Sequence, residues 1–354
     1  MIYLNNEELC TSVHVKFLKK YLHHASNSWS SHDSSRLTLA FFAISGLDIL
    51  NALDSFNEDE KSEICGWIYK LQVVPIEGEE ESWDRCGFQG STTLCLPNDG
   101  RRKHISQYEC GHLAMTYTGL ACLIILGDDL SRVNKKAVIH GVRSLQQDDG
   151  SFCATLSGSE SDMRFVYCAA CICYMLCDWS GMDIEKTVNY ILKSLSYDFG
   201  FSQRPECESH GGTTYCAVAT LALMNQVHYT NEVRNLDGLK RWSMFRHVSG
   251  FQGRPNKPAD TCYSFWIGAT LKLLGVFDLT DFKENRKYIM STQNTLSGGF
   301  SKWEDTTTDP LHTYFGLCGL SLMNEGGLLQ VHPGLNISQR AHKHLDNLHK
   351  IWQY

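Results

Sequence analysis

Three residues offer a mixed donor set for a metal ion. Asp260 and Cys262 stand in Pro258-Ala259-Asp260-Thr261-Cys262-Tyr263-Ser264-Phe265-Trp266, and His312 stands in Asp309-Pro310-Leu311-His312-Thr313-Tyr314-Phe315. Carboxylate oxygen, thiolate sulfur and imidazole nitrogen together suit zinc. A closed structural site normally takes four protein ligands, mostly Cys and His. Three mixed ligands leave a position for substrate, which is the pattern of a catalytic site. Taken singly, the same residues also read as a helix-capping Asp, a core Cys and an unrelated His. Spacing favours the metal: Cys262 and His312 lie 50 residues apart, close to an internal period of the chain.

That period is set by a Gly-Phe element ending at Phe88, Phe152, Phe201, Phe251 and Phe300, with intervals of 64, 49, 50 and 49 residues. The first interval holds a polar insertion, Leu96 to Gln107. Repeats of this length usually are stacked helical hairpins, each burying its apolar face on its neighbours. After each Gly-Phe turn a helix apolar on nearly all sides is expected: Cys110 to Leu126, Asp162 to Cys177, Gly212 to Met224, Thr261 to Leu274 and Pro310 to Met323, with a sixth from Arg36 to Leu50 ahead of the first turn. Helices of that kind are buried. Amphipathic helices alternate with them, near Asp59 to Leu71, Ser131 to Leu145, Ile184 to Leu195, Asn231 to Phe245 and Asp281 to Ser291. In the one from Ile184, residues Ile184, Val188, Ile191 and Leu195 form a single stripe. Strand-like alternation is nearly absent. The expectation is an all-α fold, an α/α barrel of six hairpins, and a single domain over residues 1–354 with a variable segment at 1–30.

In such a barrel, residues one period apart fall at equivalent inner-helix starts. Gly212, Cys262 and His312 are one such series, and His210 and Asp260 another. Basic residues gather in the same loops: Arg164, His210, Arg254 and Lys257. With helix N-termini beside them and the Tyr263 hydroxyl as a further donor, they fit a diphosphate site. Each alone also reads as solvated surface charge. Phe165, Tyr167, Trp266, Tyr314 and Phe315 would line the interior, either as plain core or as the wall of a cavity for an apolar tail. Zinc, a diphosphate cradle and an apolar cavity together point to one reaction class: a thiolate displacing diphosphate from an allylic lipid.

Composition sets the limits. The net charge is −7, from 32 basic and 39 acidic residues, which argues against general nucleic-acid binding. The 15 cysteines are an odd number, and many lie inside apolar helical runs, which fits a reducing cytoplasmic setting better than a disulfide framework. The first residues carry early acidic groups and no long apolar core, unlike a signal peptide. The most apolar run, Leu113 to Leu126, is shorter than a membrane span.

From about Arg36 to the C-terminus the chain resembles the protein prenyltransferase β-subunit family, its type I geranylgeranyltransferase branch above all. The motifs that carry this are Ser35-Arg36-Leu37-Thr38, Asp162-Met163-Arg164-Phe165-Val166-Tyr167-Cys168, Glu208-Ser209-His210-Gly211-Gly212, Gly253-Arg254-Pro255-Asn256-Lys257-Pro258, Asp260 to Trp266, and Leu311-His312. The resemblance implies one zinc per β subunit on Asp260, Cys262 and His312. It places Arg164, His210, Arg254, Lys257 and Tyr263 at diphosphate-binding positions. Thr38 and Phe315 stand where the farnesyl relatives have Trp and Tyr, so they bear on lipid length. Lys302 stands where those relatives have a magnesium-placing Asp, which implies that magnesium is not required. Partners implied are an α subunit shared with farnesyltransferase, geranylgeranyl diphosphate, and CaaX proteins such as small GTPases of the Rho, Rac and Rap type. Thr38 also has an ordinary reading, a buried hydroxyl bonded back to its own helix.

Other readings stay open at this point. Farnesyltransferase or the Rab geranylgeranyltransferase β subunit differ at 38, 302 and 315; a helical-repeat scaffold would explain the repeats but not the donor set. Three features are set aside. Cys168, Cys171, Cys173 and Cys177 read as core packing. Asp128-Asp129 resembles aspartate-rich diphosphate motifs but ends a helix. Asn336-Ile337-Ser338 is a sequon that a cytoplasmic protein would not use.

Overall fold

The computed structural model describes residues 8–23, 27–94, 108–225 and 236–352. The insertion at 96–107 and the expected helix start at 231–235 lie outside the described residues. Thirteen α-helices are found among the described residues, with three pairs of two-residue antiparallel strands. The described residues fall into two compact units: those within Met1–His24, Phe42–Ser55 and Ile191–Arg340, and those within Ala25–Phe41, Phe56–Tyr190 and Ala341–Tyr354.

The helices apolar on nearly all sides are α2 (Arg36–Ile49), α4 (Leu113–Ile125), α6 (Met163–Met175), α8 (Gly211–Leu223), α10 (Tyr263–Leu273) and α12 (Pro310–Leu322). Five lie within the bounds expected from sequence, shortened by one to three residues where a cap ends them, and α8 starts one residue earlier than expected, at Gly211. Twelve of the thirteen residues of α4 are buried, as are eleven of thirteen in α6. In the first unit α10 packs on both α8 and α12; in the second α4 packs on α6. The amphipathic helices are α3 (Glu58–Lys70), α5 (Lys135–Ser144), α7 (Ile184–Lys193), α9 (Leu236–Met244) and α11 (Phe282–Ser291). Val188 and Ile191, on the expected stripe of α7, are buried.

The Gly-Phe turns are the joints. Phe88, Phe152, Phe201, Phe251 and Phe300 are all fully buried, each side chain contributing about 2–3 kcal/mol by burial. In three turns the Phe amide donates to a threonine on the next apolar helix, at 2.9 Å each: Phe88 to Thr116, Phe201 to Thr214 and Phe300 to Thr313. Short bridges such as Gln146–Phe152 and Leu195–Phe201 close the turns, and at the fifth, β3 (Phe300–Ser301) pairs with β4 (Thr308–Asp309).

Two helices have no counterpart in the sequence reading. Thr11–His23 forms α1, with His14 and Leu18 at 0% exposure, and Gln339–Trp352 forms α13. Cys168, Cys171 and Cys173 are buried on α6 as expected, but Cys177 is exposed beyond the helix end. Asp128 accepts from the Tyr69 hydroxyl at 2.6 Å and from the Leu130 amide, which makes it a turn residue. Asn336 is buried and accepts from the Tyr314 hydroxyl at 3.0 Å, so its sequon is sterically closed. No helix among the described residues is long and apolar enough to cross a membrane.

Candidate metal centre and adjoining cavity

Donor atoms of Asp260, Cys262 and His312 lie within 4.8 Å of one another. Local structure explains how. Asp260 and Cys262 flank Thr261, which is fully buried; its hydroxyl donates to the Ser301 carbonyl at 2.7 Å, and its amide donates to the Lys302 carbonyl at 3.2 Å. The β3–β4 hairpin thus grips the Asp-Thr-Cys loop from behind. Cys262 opens α10, and its amide donates to Asp260 Oδ1 at 3.0 Å. On α12, Asp309 is the N-cap with Pro310 in the first turn. Its Oδ1 accepts the His312 amide at 2.9 Å and its Oδ2 takes His312 Nδ1 at 2.6 Å. That bond leaves Nε2 to face Asp260 Oδ1, 3.2 Å away. A carboxylate fixing the far nitrogen of an imidazole is the usual support of a metal-ligating histidine.

The electrostatics ask for a cation. Burial would lower the His312 pKa, but Asp260 and Asp309 outweigh it and raise it to about 9. Burial acts upward on Asp260, while the bonds from His312 and Cys262 prevail and hold it below the usual range. Burial and the neighbouring Asp260 charge push the Cys262 thiol well up. A divalent ion would take over the role of the His312 proton and release the thiol proton, so the donor set fits a metal.

Beside these donors is a cavity of about 170 Å³, lined among others by Arg254, Lys257, Asp260, Tyr263, Lys302 and Trp303. Lys302 Nζ lies 3.6 Å from Asp260 Oδ2 and 4.5 Å from the centre of the Trp303 ring. Arg254 is held by Glu208 at 2.8 Å. Gly212 N–H donates to His210 Nδ1 at 3.0 Å, so the ring proton sits on Nε2 and is donated to the Tyr263 oxygen, 2.9 Å away. Burial and Arg254 outweigh Glu208 and Asp260 and lower the His210 pKa, which keeps the ring neutral. Burial, Cys262 and Asp260 raise that of Tyr263, so its own O–H remains a donor for a ligand. His210 thus touches Tyr263 directly, and Gly212 is linked to it through His210. Gly253 has to be glycine, since a Cβ there would collide with the Tyr263 ring.

The remaining expected residues are placed as follows. Trp266 and Phe315 pack together with ring centres 4.2 Å apart, and Phe265 and Tyr314 continue the cluster at 5.3 Å each from Phe315. Phe315 is 2% exposed, while Trp266 is half-buried. Arg164 and Thr38 belong to the other unit. Arg164 sits in the first turn of α6, its guanidinium on Asp162 at 2.7 Å and on Glu160 at 3.3 Å. The Thr38 hydroxyl donates to Met115 Sδ at 3.3 Å, not back to its own helix, which corrects the ordinary reading of that residue. Asp309 went unassigned in the sequence reading. The signal was available: Asp-Pro-x-His is an N-cap, an N1 proline and a histidine whose amide faces the cap.

Comparison with known proteins identifies the fold and the family. Residues 9–337 match a family model described as the prenyltransferase alpha-alpha toroid domain. The geranylgeranyl transferase type-1 subunit beta of Arabidopsis thaliana is 42% identical over 336 residues, covering 92% of this chain and 88% of that protein. The subunit of the same name from Dictyostelium discoideum is 37% identical over 349 residues, 96% of each. Among solved structures, Candida albicans protein geranylgeranyltransferase-I, complexed with GGPP, aligns with a TM-score of 0.86 at 26% identity, covering 96% of this chain and 99% of that one. The α/α repeat architecture expected from the 50-residue period is the fold of these proteins. On that fold, and on relatives matched over nearly their full length, this chain belongs to the prenyltransferase α/α-toroid family, in the branch of the type-1 geranylgeranyl transferase β subunits.

Proposed function

We propose that this chain is the catalytic β subunit of a heterodimeric, zinc-dependent protein geranylgeranyltransferase, acting as one domain in the cytoplasm. It would transfer the lipid of geranylgeranyl diphosphate to the Cys thiol of C-terminal CaaX motifs, X preferably Leu or Phe, on proteins such as small GTPases of the Rho, Rac and Rap type. The partner is an α subunit shared with farnesyltransferase. In the reaction a sulfur–carbon bond forms at the allylic carbon, the carbon–oxygen bond to diphosphate breaks with its electron pair, and the thiol proton passes to solvent. Asp260, Cys262 and His312 hold the ion, with Asp309 orienting His312. Bound zinc supplies a thiolate nucleophile at neutral pH. Arg254, Lys257 and Lys302, with Arg164, hold the diphosphate. Tyr263, its acceptor side filled by His210, donates to the departing oxygen. Lys302 supplies positive charge where magnesium would otherwise act. Trp266, Phe315 and Thr38 bound the isoprenoid.

The observation that supports this best is the donor triad with a carboxylate-anchored His312, set directly beside a cavity lined by three cationic residues and Tyr263. The test is metal content and transfer by the purified heterodimer. About one zinc per heterodimer, and faster transfer of geranylgeranyl than farnesyl to a peptide ending in Leu, are expected. A metal-free heterodimer with full activity would refute the metal role, and preference for a peptide ending in Ser would refute the acceptor assignment.

A further inference from the structure

Each Gly-Phe turn needs an amphipathic helix laid against it, and the fifth turn takes its helix from the opposite end of the chain. At the first, Gln72 Oε1 accepts the Asn134 amide just before α5 at 2.8 Å, and Nε2 donates to the Arg132 carbonyl at 3.1 Å. Near the second, Gln146 Oε1 accepts the Asp183 amide just before α7 at 2.7 Å, and Nε2 donates to Thr187 Oγ1 at 3.0 Å. At the fifth, Gln293 Oε1 accepts the Cys10 amide just before α1 at 2.8 Å, and Nε2 donates to the Glu8 carbonyl at 3.1 Å. The glycines agree. A Cβ on Gly150, Gly200 or Gly250 would strike α7, α9 or α11, whereas one on Gly298 would meet the Val13 carbonyl at 2.5 Å and Phe17 Cβ at 2.9 Å, both on α1.

What differs at the fifth turn is the residue four positions past the clasped amide. At α7 it is Thr187; at α1 it is His14, fully buried. Gly299 N–H donates to His14 Nδ1 at 2.9 Å, so the ring proton is on Nε2 and goes to Gln293 Oε1 at 2.8 Å. The imidazole also stacks on Phe300 with centres 4.8 Å apart. Gly299 leads directly into β3, whose partner β4 ends in Asp309, and the next carbonyls, of Ser301 and Lys302, grip Thr261. Burial and the Asp309 charge raise the pKa of Tyr21, on the same helix, to about 12, so α1 reaches Asp309 electrostatically as well.

We infer that His14 is a positioning residue for the metal centre: through Gly299 and Gln293 it fixes the β3–β4 hairpin, and with it the Asp309 carboxylate that orients His312 and the carbonyls that set Asp260 and Cys262. The inference rests on the metal-site reading above. It is tested on the heterodimer by comparing His14→Leu, His14→Asn and Gln146→Leu with the unaltered protein. The readouts are the rate at which bound zinc is lost to a chelator, and Tm. Support for an imidazole-bound ligand typically matters 10–100-fold, and His14 stands one step further out, so His14→Leu is expected to lose zinc about 10-fold faster. His14→Asn, which keeps an acceptor for Gly299 N–H, recovers part of that. Gln146→Leu cuts the equivalent clasp at the second turn; it lowers Tm but releases zinc at the original rate. A folded His14→Leu heterodimer that keeps zinc as long as the unaltered protein overturns the inference. If His14→Leu does not fold, unchanged zinc loss in His14→Asn overturns it equally. An unaltered heterodimer that holds no zinc fails the metal reading itself, a result distinct from either.

Discussion

At the start of α6, Asp162 accepts the Arg164 amide at 2.9 Å and holds the Arg164 guanidinium with both oxygens. At the start of α12, Asp309 accepts the His312 amide at 2.9 Å and holds the His312 ring. The same cap, met three periods of the repeat apart, has two outcomes. The gripped residue two beyond the cap is a cation, paired with Asp162 and Glu160; the one three beyond is an imidazole whose second nitrogen faces Asp260. The start of α8 is a third version, in which the cap is itself a histidine, bonded to Gly212 behind and to Tyr263 ahead. The scaffold sets where chemistry can stand, and the residue after the cap decides which chemistry it is.

The largest expected effect removes the metal side altogether. Cys262→Ala deletes a first ligand at the end of a folded helix, so the heterodimer should stay folded, lose zinc and lose transfer. Full transfer by a zinc-free variant would separate the donor set from the reaction. Thr38→Trp acts in the other unit and on lipid length. Each enclosed CH₂-sized group is worth about 0.8 kcal/mol, so crowding out one isoprene unit could cost roughly 3–4 kcal/mol. Competitive transfer from the two lipids to one peptide should move toward farnesyl, with zinc content unchanged; a constant ratio would show that residue 38 does not bound the tunnel.

The pair Asp309→Asn and Asp162→Asn tests the two caps against each other. Both keep a capping oxygen. Asp309→Asn should weaken zinc binding about 10–100-fold, whereas Asp162→Asn should leave zinc alone and raise KM for the lipid diphosphate. Equal effects of the two on zinc would erase the distinction between the caps. An effect of similar size is expected at Lys302. A charge-assisted bond contributes about 1.5–3 kcal/mol, so Lys302→Asp should slow transfer at least about 10-fold, with added magnesium restoring part of it. Transfer by the unaltered enzyme should persist when magnesium is chelated and zinc retained; a collapse there would take Lys302 out of the leaving-group role.

Much of this was legible in the sequence because the repeat writes itself in large residues. A Phe recurring at 49 or 50 positions after a first interval of 64 fixes the turns, and helices apolar on nearly all sides leave little choice of periodicity. The donor triad followed because Cys262 and His312 are one period apart. Asp309 was harder to see, since an N-cap aspartate is common and only its second oxygen, aimed at His312 Nδ1, carries the added role. The two-residue ladders are too short to show alternation. Helix α1 was missed for a different reason. Its partners, Gln293 and Gly299, lie at the far end of the chain, and no local pattern in Thr11–His23 points to them.

That distance matters when the protein is made. Gly299 follows His14 by 285 residues, so α1 leaves the ribosome first and must wait for its partner. At translation rates of about 5–20 residues per second, the wait is roughly 15–60 s. Until then Phe17 has no fifth turn to cover, and the hairpin behind Asp260, Cys262 and His312 has no brace. The loop that carries Asp260 and Cys262 is therefore braced only once the fifth turn has been made and α1 reaches Gly299.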